Sequence, residues 1–549
     1  MNLLKNTLCI LFGATFLSAQ AGHYLGKGID ALRNGDEEEA QKYFKQDLQE
    51  DPQNGFDYLY LGRIFSHSNE NSNYPLAFKC YYLAEKFLPA SNKEDRAYLH
   101  FWRSYLYEVM EDTTKMVKEI NKAIALQPKE TDFLNQRAWI YYMQDNYKGA
   151  EADLKKVISI DKKNALGYRH YGFVLYAQKQ YDQAIEKFKK TVELDTDSTY
   201  YSARTGLGLC YKQKKDYAKM AEEFANAIET DGWDQIDTEM GKLTPEELSY
   251  MHPALEAKKK EHPKDVIWPY ADGICSNYEH KYIEGLKSLN EALIIEDNPY
   301  IYNQKAQVLS RLGQNNEALK TCMKGLEIDS SNSALLDTRT MILCYEKDNA
   351  KKAKAAADTM LSRAPHKVRS YTVMGIAYRS IKEYDNAAKW FQKSYILGDG
   401  ENLFPLYARA STFLRAGNKE LAKKHFEEYL EKDTSAANSL YGYANAHLGK
   451  YEKVRQCIDS LQAKINTNND FDNYFDIACL YNIMGEKSKS VENLRLFFEK
   501  EGPDYMRAEN DEDFESIRQT AEFKAVIEEA KKKAAEIAKI IADMNKDAK

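Results

Sequence analysis

Histidines, cysteines and glycine-rich turns are the first places to look for chemistry in this chain. It has 10 His and 8 Cys in 549 residues. No His-Glu-x-x-His occurs, and no two histidines stand three or four apart on one helical face, the spacing a helix-borne zinc site needs. His252 and His262 flank prolines in a polar segment and are expected to be solvated rather than metal-bound. Beyond Cys9, the cysteines are Cys80, Cys210, Cys275, Cys322, Cys344, Cys457 and Cys479. Seven is odd, so they cannot all pair within one chain, and no Cys-x-x-Cys is formed. Most fall near packing positions, where a free cysteine acts as a small hydrophobe. The stretch "TGLGLC" offers Gly206 and Gly208 but no third glycine, and it lies inside a helix rather than between a strand and a helix. It therefore does not cradle a dinucleotide. Gly-x-x-x-x-Gly-Lys-Ser/Thr is missing, and the carboxylates are spread over polar helix faces. No nucleophile, base and orienting group come together. The expectation is a chain without catalytic residues, metal or cofactor.

Composition restricts the class further. Lys+Arg 77 against Asp+Glu 84 gives a net charge of −7, with 43% hydrophobic and 29% charged residues. That balance leaves no nucleic-acid footprint. Strand-like alternation is lacking while helical periodicity runs throughout, so the expected class is all-α.

Those helices raise a question in "YRHYGFVLYAQKQYDQAIEKFKKTVELD", residues 168–195. A helix carrying Tyr168 and Tyr171 places Gly172 between bulky side chains, although glycine inside a helix costs about 1 kcal/mol against alanine. The next helix places Ala184 one turn before Phe188. Sliding the stretch along the chain explains the pattern as a repeat. Tyr147, Ala150 and Leu154 stand 34 residues before Tyr181, Ala184 and Phe188. Ala353 precedes Ala387 by 34 residues, and Ala422 follows 35 later. A fixed period of this length signals an array. Thirteen copies begin near Ala21, Gly55, Ala97, Thr131, Ala165, Tyr201, Val266, Pro299, Ala334, Val368, Leu403, Ser435 and Phe471. Gly35, Gly313, Gly417, Gly449 and Gly485 fall at the turns between helices, where a left-handed residue suits a helix end.

The clearest copies run Tyr371, Met374, Gly375, Tyr378, Ala387, Phe391, and Tyr58, Leu61, Gly62, Phe65, Ala77, Tyr81, Ala84, Pro89. This order resembles the tetratricopeptide repeat family, whose pattern is an aromatic, Leu-Gly, Tyr, Ala-x-x-x-Phe and Pro. Gly62, Gly172, Gly208 and Gly375 occupy its small-residue slot, as do Ala138, Ala306 and Ala410. The resemblance implies a right-handed superhelical solenoid of helix-turn-helix repeats, in which small residues let the paired helices cross closely.

Residues 1–21, "MNLLKNTLCILFGATFLSAQA", have the layout of a secretory signal peptide: one lysine, an apolar run from Leu8 to Leu17, and Ala19-Gln20-Ala21. The run is shorter than the roughly 20 residues that span a bilayer. The expectation is export to a bacterial periplasm or envelope, with no membrane span after cleavage near Gly22. The array then divides as 22–232 and 266–504. Between them, 233–265 breaks register with Pro245, Pro253 and Pro263, as a degenerate repeat or a hinge; Thr244-Pro245-Glu246-Glu247 reads as a helix start. Residues 505–549 read as capping helices and a charged tail. In them Asp513, Phe514, Ile517, Arg518 and Phe523 resemble a closing segment of bacterial helical arrays. Phe523, Val526, Ile527 and Ala530 make an apolar stripe, with the polar part beginning at Lys531–Lys533.

Arrays of stacked helix pairs work through their surfaces, and the first helices build the inner wall. Phe101, Tyr105, Trp139, Tyr142, Arg169, Phe173, Tyr176 and Leu209 are the residues of that wall not committed to the second helix. Aromatics of this kind anchor interfaces. The expected function is a non-catalytic protein-binding scaffold taking a peptide or protein in a concave groove. An accessory subunit of an outer-membrane uptake or secretion complex is the alternative, and a cryptic enzyme a remote one. The family's clamp for acidic chaperone tails needs Lys, Arg and Asn on adjacent inner faces. Here those faces carry Trp139, Phe173, Leu209 and Ile274, which argues against that ligand.

Overall fold

The computed structural model describes residues 23–67, 73–195, 202–345, 349–398 and 400–547. Residues 1–21, expected to be a leader, residues 68–72 and the opening Tyr201 of one copy lie outside them. The described residues are helical, without a strand. The chain divides into two compact units, one ending at Asp237 and one beginning at Thr238.

The first unit contains six helix pairs, from His23–Arg33 with Glu37–Glu50 to Ala203–Gln213 with Tyr217–Thr230. The second contains seven, from Ile267–Tyr278 with Tyr282–Ile295 to Asp472–Ile483 with Lys487–Lys500. Local chemistry sets each turn. At many of them a residue in the left-handed region ends the first helix and an Asp or Asn starts the second. Thus Asp36, Asp112, Asn146, Asp216 and Asn418 accept the backbone N–H three residues on. This satisfies a donor that the helix start leaves open. Glycine fills the preceding position at Gly35 and Gly417, but Glu111, Asp145, Lys179 and Lys215 adopt the same positive φ without being glycine.

Packing answers the question posed by Gly172. Ala184 and Phe188 are fully buried. A β-carbon on Gly172 would meet the Phe188 ring at 2.6 Å, and one on Gly375 would meet Phe391 at 2.6 Å. Gly62 stands in the same relation to Tyr81, at 2.6 Å. The small residue is thus the seat of the ring from the partner helix. First helices of successive repeats also pack on one another, as Thr131–Met143 does on Ala165–Ala177 and Pro299–Arg311 on Ser333–Cys344; second helices do so much less. The first helices therefore stand on the inner side of each unit.

Where the register breaks, the chain forms helices Trp233–Met240, Pro245–Ser249 and Met251–Glu261. Thr244 makes a full capping box with Glu247. His252 departs from the solvated state expected of it. Its Nδ1 lies 2.6 Å from Asp272 and its Nε2 2.5 Å from Glu279. Asp272 and Glu279 stand on or just past the following helix, Ile267–Tyr278, a packing that one-dimensional polarity does not encode. The seven cysteines are free, six of them buried.

The closing helix, Ala521–Asp547, buries Phe523, Val526, Ile527 and Ala530. Its apolar stripe does not stop at Lys531–Lys533. Ala534, Ile537 and Ile541 continue it, and the last two join the cluster around Leu309 and Leu312. Lys531 and Lys533 flank the stripe, with the Lys533 ammonium donating to the Phe498 carbonyl at 2.8 Å.

Candidate functional site

In the first unit the wall is built by helices Lys93–Val109, Thr131–Met143, Ala165–Ala177 and Ala203–Gln213. Tyr105, Trp139, Tyr142, Phe173, Tyr176 and Leu209 are half-buried along it, whereas Phe101 and Arg169 are buried beneath. Phe101 packs on Phe133 of the next repeat at 4.9 Å between ring centroids, so its role is inter-repeat packing. Trp139 stacks on Tyr142 at 5.0 Å and on His170 at 5.1 Å, giving a three-ring step across two repeats. Phe173 sets its edge against Phe188 at 4.9 Å.

Polar groups that the sequence reading passed over lie beneath and between these rings. Asp132 Oδ2, Asn135 Oδ1 and His170 Nδ1 are buried without a hydrogen-bond partner. Buried polar atoms are normally paired, so each such atom calls for an explanation. The Arg169 guanidinium reaches His170 Nε2 at 3.1 Å. Burial first, and that guanidinium second, hold the imidazole well below its ordinary value. His170 is therefore neutral, with Nδ1 carrying the proton. Burial, reinforced by Glu130, pushes the Asp132 carboxyl up to about 7. Glu108 is also raised by burial, partly offset by the Gln136 amide. The half-buried rings of the wall thus stand with a neutral imidazole, carboxyls raised by burial and the Arg169 guanidinium buried in the same helices. Only the helical register of Asp132 and Asn135, two turns and one turn before Trp139, hinted at it.

The corresponding side of the second unit is filled by the chain itself. Arg311, Tyr345, Arg379 and Arg415 recur at 34, 34 and 36 residues, at the ends of four successive first helices. Arg311 pairs with Glu501 at 3.0 Å and Asp472 at 3.2 Å. Arg415 pairs with Glu512 and lies 3.8 Å from Asp513. The guanidinium of Arg507 sits 3.9 Å over the Phe475 ring and donates to Asp472 at 3.1 Å. Arg379 and Tyr407 feel Asp511 and Asp513. Phe514 and Ile517 are fully buried in the same core. An acidic stretch, 501–513, therefore occupies the inner face of this unit, held by a ladder of arginines that periodicity alone left unremarked.

Three stretches match tetratricopeptide repeat family profiles: residues 132–171, 299–332 and 407–455. They fall on the helix pairs Thr131–Met143 with Tyr147–Ile160, Pro299–Arg311 with Asn315–Ile328, and Phe404–Arg415 with Lys419–Lys432. The chain is a tetratricopeptide repeat protein. No curated protein matches it. Among solved structures it is similar to yeast Tom70, at 14% identity and a TM-score of 0.36, covering 88% of this chain and 96% of that one. It is also similar to a tetratricopeptide repeat protein from Parabacteroides merdae, at 16% identity and a TM-score of 0.33, covering 52% and 97%. Cut9 in its complex with Hcn1 is a third, at 14% identity and 0.31, covering 85% and 96%. These likenesses concern the fold. No helix among the described residues is long and apolar enough to cross a membrane.

Proposed function

We propose that this tetratricopeptide repeat protein is a non-catalytic scaffold of the bacterial envelope that binds a peptide or protein partner along the inner wall of its first unit. The observation that carries the reading is the contrast between the two inner faces. In the second unit the chain's own residues 501–513 meet Arg311 and Arg415 through Glu501 and Glu512. In the first unit Trp139 and Tyr142 stay half-buried, with Trp139 stacked on the buried His170, and no other part of the chain is described as covering them. An extended peptide brings amide donors and acceptors together with apolar side chains, which is what such a wall complements. Tyr105, Phe173, Tyr176 and Leu209 extend the surface to either side, and Phe101 and Arg169 support it from below. The envelope assignment rests on the leader-like residues 1–21.

Affinity and stability must be measured together. After a partner is recovered by crosslinking in an envelope fraction, its binding to Trp139→Ala, Phe173→Ala and Tyr176→Ala is compared with the melting temperature of each variant. Truncating a true anchor costs about 2 kcal/mol or more of binding. Lost affinity at unchanged melting temperature supports the reading. Lower melting temperature with affinity retained in the cold makes the rings structural and moves the site elsewhere. An intact Met1 on the purified protein contradicts export.

A further inference from the structure

One cluster in the second unit has a ligand set that the scaffold reading does not use. Helix Met251–Glu261 presents His252 from its first turn, and helix Ile267–Tyr278 presents Cys275 and, at its cap, Glu279. Cys275 and Glu279 are four residues apart and so share one face. The donor atoms of His252, Cys275 and Glu279 all lie within 4.8 Å of one another, with Cys275 Sγ 3.9 Å from His252 Nε2. We propose that His252, Cys275 and Glu279 bind one divalent transition ion of the zinc class, through Nε2, Sγ and Oε2.

Ligand chemistry supports the assignment. Thiolate, imidazole and carboxylate are the donors zinc takes, and three protein ligands leave a fourth position for water. Tetrahedral bonds of about 2.3 Å to sulfur and 2.0 Å to nitrogen separate those two atoms by about 3.5 Å, close to the 3.9 Å found. The Glu279 carboxylate, 2.5 Å from Nε2, needs only to swing outward to admit the ion.

The surrounding groups are arranged as metal sites require. A ligating histidine holds its other ring nitrogen on a carboxylate, which fixes tautomer and orientation. His252 Nδ1 lies 2.6 Å from Asp272 Oδ1, and Asp272 Oδ2 accepts from the Ser288 hydroxyl at 2.6 Å. Glu279 has its second oxygen on the Lys281 ammonium at 2.9 Å, leaving Oε2 for the ion. Cys275 is fully buried, while the side chains of His252 and Asp272 are each 28% exposed and open a path for entry. Binding converts the thiol to thiolate, so its proton leaves as the ion is taken up, with the Nε2 proton where the ring carries one, and nothing is oxidised or reduced.

Without an ion, an imidazolium between the two carboxylates would satisfy the same groups, and experiment separates the two states. The tag-free full chain, stripped by chelator, is titrated with Co²⁺ and read by absorption; zinc bound after reloading is counted by elemental analysis. The expected result is one ion per chain, a thiolate-to-cobalt charge-transfer band, and a melting temperature that falls on chelation. Cys275→Ser should abolish the band and Glu279→Gln weaken binding at least tenfold. Cys322→Ser, at another buried cysteine, should leave both unchanged. Circular dichroism confirms that each variant is folded; should Cys275→Ser not fold, His252→Gln takes its place. A folded parent that shows no stoichiometric ion overturns the proposal. So does a band that persists in both Cys275→Ser and His252→Gln.

Discussion

The ring of Phe188 fills the place where a β-carbon on Gly206 would stand, 2.5 Å away, although Gly206 belongs to the next repeat. The same ring already seats on Gly172 of its own repeat. One side chain therefore locks two repeats; Gly208 seats Phe224 in the same way, so both glycines of "TGLGLC" are packing seats.

The first prediction concerns this lock. Gly206→Ala improves helix propensity by about 1 kcal/mol but drives a methyl group into Phe188, an overpacking worth about 1–3 kcal/mol. Net destabilisation is expected in a urea melt. Combining it with Phe188→Leu should recover part of the loss, since residues in contact couple. Equal melts for parent and single variant would remove the lock.

Repeat period, helix class and the Gly172 seat were legible because each lies within one repeat and recurs. Turn residues were half legible. Gly35 and Gly417 announce a left-handed turn; Lys179 and Asp145 do the same job without the residue type that signals it. The filled inner face of the second unit was not legible. It joins Arg311 to Glu501, 190 residues away, and a 34-residue period says nothing about such distances. His252 was misread for a related reason: Asp272 and Glu279 stand 20 and 27 residues on, and only packing brings them to the ring.

A second prediction uses those turns. Lys179 has φ +62°, and Gln180 makes no side-chain cap bond. Lys179→Gly relieves a left-handed residue and Gln180→Asp supplies a cap of about 1 kcal/mol. The pair should raise the melting temperature of the first unit. A double variant that melts below its parent would show that this turn is held by other forces.

The third concerns pH. Asp57 is fully buried, and its two carboxylate oxygens have no hydrogen-bond partner. Burial, with the neighbouring Asp47 carboxyl, pushes it up to about 9. The fold therefore holds this proton more tightly than the unfolded chain does. Stability tied to it is complete below about 4 and is lost as the pH rises toward about 9. Asp132, raised to about 7, slopes the same way. Asp57→Asn should stabilise the first unit at pH 8, with the advantage shrinking toward pH 4. A gain that is the same at both pH values would contradict this.

A fourth tests the acidic stretch in the second unit. Arg507 lies over Phe475 and pairs with Asp472, with its side chain 27% exposed. Arg507→Ala should cost about 1–3 kcal/mol. Arg507→Lys should rescue only part of it, since a planar guanidinium stacks where an ammonium does not. Full rescue by lysine would reduce the interaction to charge alone.

Contacts that join Arg311 to Glu501 and Gln314 to Ala534 span 190 and 220 residues. The first unit can assemble by neighbour-to-neighbour propagation, each pair docking on the one before it. The second must also bring distant ends together, and closing a loop costs entropy that grows with its length. High contact order slows folding. On a ribosome, the first unit can finish while the second still waits for its last fifty residues. Refolding should therefore show two phases, the slower one belonging to the C-terminal unit and vanishing when residues 501–549 are removed.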